Sequence, residues 1–188
     1  MSTARRLHYS YAEYLSALEM SEVKLEYCDG EIYAMAGGTI AHSALAARVA
    51  RIMGNQRKEC EVLTSDAKIR VEQTGLSTFP DVSLVCGPIL RSPIDQHAVI
   101  NPTVLIEVTS KSTEDYDRSN KLSHYKHIPS LQAVLILSHR RPQITIIQRS
   151  SSGWSESEFF ENEHVTIDNP KMVIPVREVY ESLELEHG

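Results

Sequence analysis

The chain has no apolar run of about 18 residues or more, so no segment reads as a membrane span. Its start, MSTARRLHYSYAEYL, lacks the apolar core and cleavage site of a secretory signal. Cysteine is scarce: three, at positions 28, 60 and 86, odd in number and without a C-x-x-C pair. That usage argues against a disulfide framework and a zinc site, and predicts a reducing, cytoplasmic setting. The phosphate loop G-x-x-x-x-G-K-[ST], the dinucleotide motif G-x-G-x-x-G, the serine elbow G-x-S-x-G and the zinc helix H-E-x-x-H are all missing. Ser110 and Cys86 therefore make poor nucleophiles, with neither an elbow nor a paired base.

What is present suits one globular domain over 1–188, with its core at about 40–150. The net charge of −6 is unevenly spread. Residues 40–149 carry 14 Lys and Arg against 10 Asp and Glu, whereas the two ends carry 5 against 15. The middle can present a basic face between acidic flanks. A solvated mixed surface accounts for the same counts.

The spacing predicts a helix over 9–19 with a cap at Ser10, then a hairpin turning at Asp29-Gly30. A second helix follows in TIAHSALAARVARIMGNQRK, with Ile40, Ala44, Ala47 and Ile52 on or near one side and Arg48 and Arg51 largely on others. Strand-like runs cover 61–71, 81–86, 103–110, 133–138 and 143–149, and a helix of about 16 residues from Thr113 parts the third from the fourth. The acidic tail adds a hairpin and a closing element. This order indicates an α/β sandwich with a mixed central sheet flanked by helices. His124 and His127, three apart, read as a surface pair.

Glu107 interrupts the apolar run TVLIEVTS, and a buried carboxylate is costly unless paired or bound to a metal. By alternation Leu105, Glu107 and Thr109 share one face, and Val104, Ile106 and Val108 the other. Asp81, after Pro80, stands at a strand entry, where turn chemistry also explains it. If the two strands are neighbours, Asp81 and Glu107 approach each other, and a hard oxygen pair of this kind suits Mg²⁺ or Mn²⁺.

Pro80-Asp81, Glu107-Val108-x-Ser110-x-Ser112-Thr113, Asp117-Arg118-x-x-Lys121 and Tyr125 together resemble the Uma-type restriction-endonuclease-like proteins. These form a branch of the PD-(D/E)XK nuclease superfamily. LEYCDGEIYAMAGGTIAHSALAARV resembles the same family's hairpin and the helix carrying His42, and the likeness covers roughly residues 9–150. It implies a nuclease fold, with Asp81 and Glu107 binding a metal that activates water against a phosphodiester. The superfamily's strand lysine would fall at 109, where this chain has threonine. In the Uma-type branch the lysine comes from the following helix, which points to Lys121, with Lys111 a local rival. On a helical wheel Lys121 lies close to Ile128 and Tyr125, inside the arc expected to face the sheet. Glu26 and Glu31 are candidates for a further acid near the metal, and His42 for a phosphate or water contact. Ordinary structural roles explain all three as well. Arg48, Arg51, Lys68, Arg70 and Arg118 are the candidates for phosphate contact on DNA. The expected protein is a DNA endonuclease, a homodimer if both strands are cut. The alternative is a non-cleaving nucleic-acid-binding protein on the same scaffold.

Overall fold

In the computed structural model, which describes residues 8–35, 37–110 and 120–185, the chain alternates short strands with few helices. In order it forms α1 (Tyr11–Met20), β1 (Leu25–Cys28), β2 (Glu31–Ala34), α2 (Ile40–Gln56), β3 (Cys60–Thr64) and β4 (Lys68–Arg70). There follow β5 (Ser77–Thr78), β6 (Val82–Cys86), β7 (Arg91–Ser92), β8 (Asp95–Val99), β9 (Val104–Val108) and α3 (Leu122–Tyr125). The chain closes with β10 (Ala133–Leu137), β11 (Gln143–Ser150), β12 (Gly153–Phe160), β13 (His164–Ile167), β14 (Met172–Pro175) and α4 (Val176–Tyr180).

The strands make two six-stranded mixed sheets, ordered β2-β1-β5-β4-β8-β7 and β12-β11-β10-β9-β6-β3, with β13 and β14 as a separate hairpin. In the second sheet β9 runs parallel to β10 and antiparallel to β6. One face of this sheet, through Val82, Leu84, Val104, Ile106 and Leu135, packs on α2, β13–β14 and α4. Its other face, through Val85, Leu105, Val134 and Ile136, packs on the first sheet and on Leu122, Tyr125 and Ile128. A strand covered on both faces reads as a continuous apolar run, and every residue of β9 is buried. Among the described residues no helix is long and apolar enough to cross a membrane.

Local chemistry explains the first elements. Ser10 caps α1 in a capping box: its hydroxyl accepts the Glu13 N–H, and the Glu13 carboxylate accepts the Ser10 N–H at 2.7 Å. Asp29 and Gly30 both have positive φ and join β1 to β2 in a two-residue turn with Cys28 opposite Glu31.

Three expectations are corrected, and a fourth is met only in part by the described residues. The single strand over 61–71 is two, β3 and β4, broken at a turn around Ser65-Asp66 and placed in different sheets. The buried stripe of α2 is Ala41, Leu45, Val49, Ile52 and Met53, while Ile40 is 91% exposed at the helix start. The helix expected from Thr113 is represented by Leu122–Tyr125, and the part of that expectation over 113–119 lies outside the described residues. Cys60 and Cys86 are direct cross-strand partners of β3 and β6 with Cα atoms 4.3 Å apart, and they form a disulfide. Cysteine spacing along the chain carried no trace of that register. With the bridge present, the cysteine count no longer argues for a reducing compartment.

Beneath α1 lies a buried polar cluster. Lys68 Nζ sits 2.6 Å from Asp95, and the Tyr11 hydroxyl donates to the same carboxylate at 2.7 Å. Burial pushes the Asp95 carboxyl up, but hydrogen bonds from Lys68, Tyr11 and the His97 N–H, with the Lys68 charge, outweigh it, and its pKa falls below the ordinary 3.8. A depressed folded pKa means that the unfolded chain binds the proton more readily. The contribution is therefore present above about pH 4 and lost as pH falls through the folded value. Urea midpoints should drop steeply from about pH 5 to about pH 3, and Asp95→Asn should flatten part of that drop. An identical slope in the variant would contradict the assignment.

Candidate active site

The antiparallel ladder of β6 and β9 pairs Val82 with Ile106, which leaves Asp81 and Glu107 as the next positions at one rim. Asp81 lies just before the strand, after Pro80, and its carboxylate does what a further ladder residue would have done. Its Oδ2 accepts the Val108 N–H at 2.7 Å, and its Oδ1 accepts from His42 Nε2 at 2.7 Å. His42 comes from the first turn of α2, whose start is capped by Thr39.

Glu107 is 4% exposed. The Tyr125 hydroxyl donates to its Oε1 at 2.5 Å, and Lys121 Nζ stands 3.4 Å from the same oxygen. Burial, then the neighbouring carboxylate charge, raises the Tyr125 pKa well above the ordinary 10.0, so the phenol stays protonated and donates. Lys121 is itself buried, and its closer partner is Glu26 of β1, at 3.0 Å. Thr78 donates to the same Glu26 oxygen. Two buried carboxylates thus share one ammonium, with Glu26 and Glu107 coming from different sheets.

Of the proposed catalytic residues, Glu107 and Lys121 are brought into direct contact, and Asp81 stands at the same rim, bonded to the residue after Glu107. Thr109, at the position of the superfamily lysine, is fully buried, with its hydroxyl 2.8 Å from His139 Nδ1. Lys111 and Arg118 lie outside the described residues. Glu31 stays at the hairpin, accepting from Tyr33. His124 lies 3.5 Å from Cys28 Sγ and His127 bonds the Ser123 carbonyl, so the two histidines have separate partners.

The phosphate-contact candidates fare differently. Lys68 and Arg70 are buried rather than on a basic face: Lys68 pairs with Asp95, and Arg70 pairs with Glu72 and stacks 3.9 Å from the Tyr11 ring. Arg48 donates to the Val179 and Glu181 carbonyls, and Arg51 pairs with Glu178 at 2.9 Å, so both tie α2 to α4. Cation counting cannot detect partners so distant in the chain. Exposed Arg140 and Arg141, in the turn after β10, lie at the rim where β9 ends.

Among the described residues no three His, Cys, Asp or Glu side chains gather to hold a metal. Asp81 and Glu107 each offer hard oxygens of the kind Mg²⁺ takes, but the partner of the Asp81 carboxylate is His42 of α2, on one side of the sheet, and the partners of the Glu107 carboxylate, Tyr125 and Lys121, come from the other. Each Asp81 oxygen accepts one hydrogen bond, and a carboxylate offers about four lone-pair sites.

Two mixed sheets with few helices make the molecule a mixed α/β protein. The crystal structure titled "a putative nuclease belonging to DUF820 from Anabaena variabilis" superposes with a TM-score of 0.72 at 17% identity, covering 90% of this chain and 96% of that one. Residues 11–175 match the family Uma2, described as "Putative restriction endonuclease", and the chain belongs to that family. Two proteins of Synechocystis sp. are similar to it. "Uncharacterized protein slr1290" is 38% identical over 143 residues, 75% of this chain and 74% of its own. "Uncharacterized protein sll1609" is 30% identical over 128 residues, 67% and 72%.

Proposed function

We propose that this protein is a metal-dependent DNA endonuclease in which Asp81 and Glu107 hold Mg²⁺ or Mn²⁺ and Lys121 assists. The observation that carries this reading is the contact of Lys121 with Glu107 at 3.4 Å, at the rim occupied by Asp81. A divalent ion bound there supplies an activated water and neutralises charge on the phosphate. Glu26 holds the Lys121 ammonium in place, so its charge is oriented before substrate arrives. Tyr125 fixes the Glu107 carboxylate by donating to Oε1. Arg140 and Arg141 replace the buried cations as candidates for backbone phosphate contact. A two-fold dimer would let one assembly cut both strands.

The second reading, a non-cleaving nucleic-acid-binding protein, draws on the absence of a three-ligand cluster among the described residues. Incubation with supercoiled plasmid separates the two. Nicking is expected with Mg²⁺ or Mn²⁺, none with EDTA, and none from Glu107→Ala. Salt-sensitive binding without nicking would favour the scaffold reading. Neither binding nor nicking at low salt would reject both.

A further inference from the structure

We infer that His42 is a positioning residue for Asp81, seated for that task by the close approach of Gly38. The inference rests on the metal-dependent reading above and extends it to a residue outside the acid and lysine set.

A carboxylate at a strand mouth has two free torsions, and fixing them on binding costs conformational entropy. Asp81 has both oxygens held beforehand: Oδ2 by the Val108 N–H and Oδ1 by His42 Nε2, each at 2.7 Å. Val108 belongs to the strand that carries Glu107, so its N–H fixes Asp81 relative to that neighbour. One bond leaves the carboxylate free to swing about the bonded oxygen. The second, from a different element, removes that freedom.

The His42 ring is confined in turn. Its backbone N–H donates to the Thr39 hydroxyl at 3.2 Å, which sets the first turn of α2. The backbone of Gly38 passes so close to the ring that a Cβ there would lie 2.8 Å from Cδ2 and 3.0 Å from Cγ. Real Cβ atoms essentially never come within 3.0 Å of a neighbour, so a side chain at 38 must move either the ring or the loop that passes it. Hydrogen-bonded supports of metal-binding carboxylates set ligand orientation, and losing one typically weakens metal affinity about 10–100-fold.

Calorimetric titration of the protein with Mn²⁺ tests this, alongside the amide shift and hydrogen exchange of Val108 measured by NMR without metal. His42→Ala should weaken Mn²⁺ binding about 10–100-fold and move the Val108 amide, because Asp81 loses its second anchor. His42→Gln, whose Nε2 can reach the same oxygen, should restore most of both. Gly38→Ala removes no polar atom and should fall between His42→Ala and the unaltered protein. A role confined to helix packing predicts a lower melting temperature with unaltered Mn²⁺ affinity, and that result overturns the inference. If His42→Ala does not fold, Gly38→Ala decides by the same criterion. Absence of Mn²⁺ binding by the unaltered protein would defeat the nuclease reading instead. The Val108 amide would then still judge His42: a change in His42→Ala supports the anchoring, and no change refutes it.

Discussion

Replacing Lys121 by alanine will stop plasmid nicking and lower stability by about 3–5 kcal/mol, the usual result of removing one partner from a buried ion pair. The ammonium is the cation that Glu26 and Glu107 share, at 3.0 and 3.4 Å, and all three groups are buried. Its loss leaves two carboxylates in a poorly solvated space, so weakened folding and lost activity arrive together. The double variant Glu26→Gln/Lys121→Met separates them. It removes one charge of each sign and keeps the methylene packing of the lysine stem. Part of the lost stability should return, measured by urea unfolding, because one buried carboxylate rather than two then loses the ammonium, while nicking stays absent. A double variant that cuts DNA would make Lys121 a structural residue only. A Lys121→Ala protein as stable as the original would deny the buried pair altogether.

The second large effect is of opposite sign in stability. Glu107→Gln should raise the unfolding free energy by about 0.5–2 kcal/mol, the range of substitutions that relieve a strained functional site, while nicking falls to the EDTA background. The amide oxygen can still accept the Tyr125 hydrogen, now 2.5 Å from Glu107 Oε1. Lys121 keeps its closer partner, Glu26. What disappears is the negative charge that Glu107 places beside Glu26 around the Lys121 ammonium, together with an anionic ligand for metal. A less stable variant would show that Glu107 is held chiefly as a structural ion pair. An active one would remove it from the catalytic set.

Much of this site is legible in the sequence because strand alternation is local. Glu107 follows Leu105 on the second core face, and the wheel that groups Lys121 with Ile128 and Tyr125 matches their common burial. The Ser10 cap and the Asp29-Gly30 turn are equally local. Other features depend on partners that only the fold supplies. Nothing near Lys68 in the chain announces Asp95, and nothing near Cys60 announces Cys86. Strands β5 and β7 are two residues long, too short for any periodicity to register. Glu26 and Glu31 read alike as candidate acids, and only the fold sets Glu26 beside Lys121 while Glu31 stays at the hairpin.

Between Cys60 and Val108 the chain passes from one six-stranded sheet to the other four times. Neither sheet is therefore a contiguous stretch, and no single cut releases one intact. The contacts of Lys121 with Glu26 and Glu107 span this interleaving, one acid from each sheet. They close only after both sheets have been assembled from segments far apart in the chain, the kind of non-local pairing that slows folding. A molecule with only one of the two sheets in place would lack one of the two acids around Lys121.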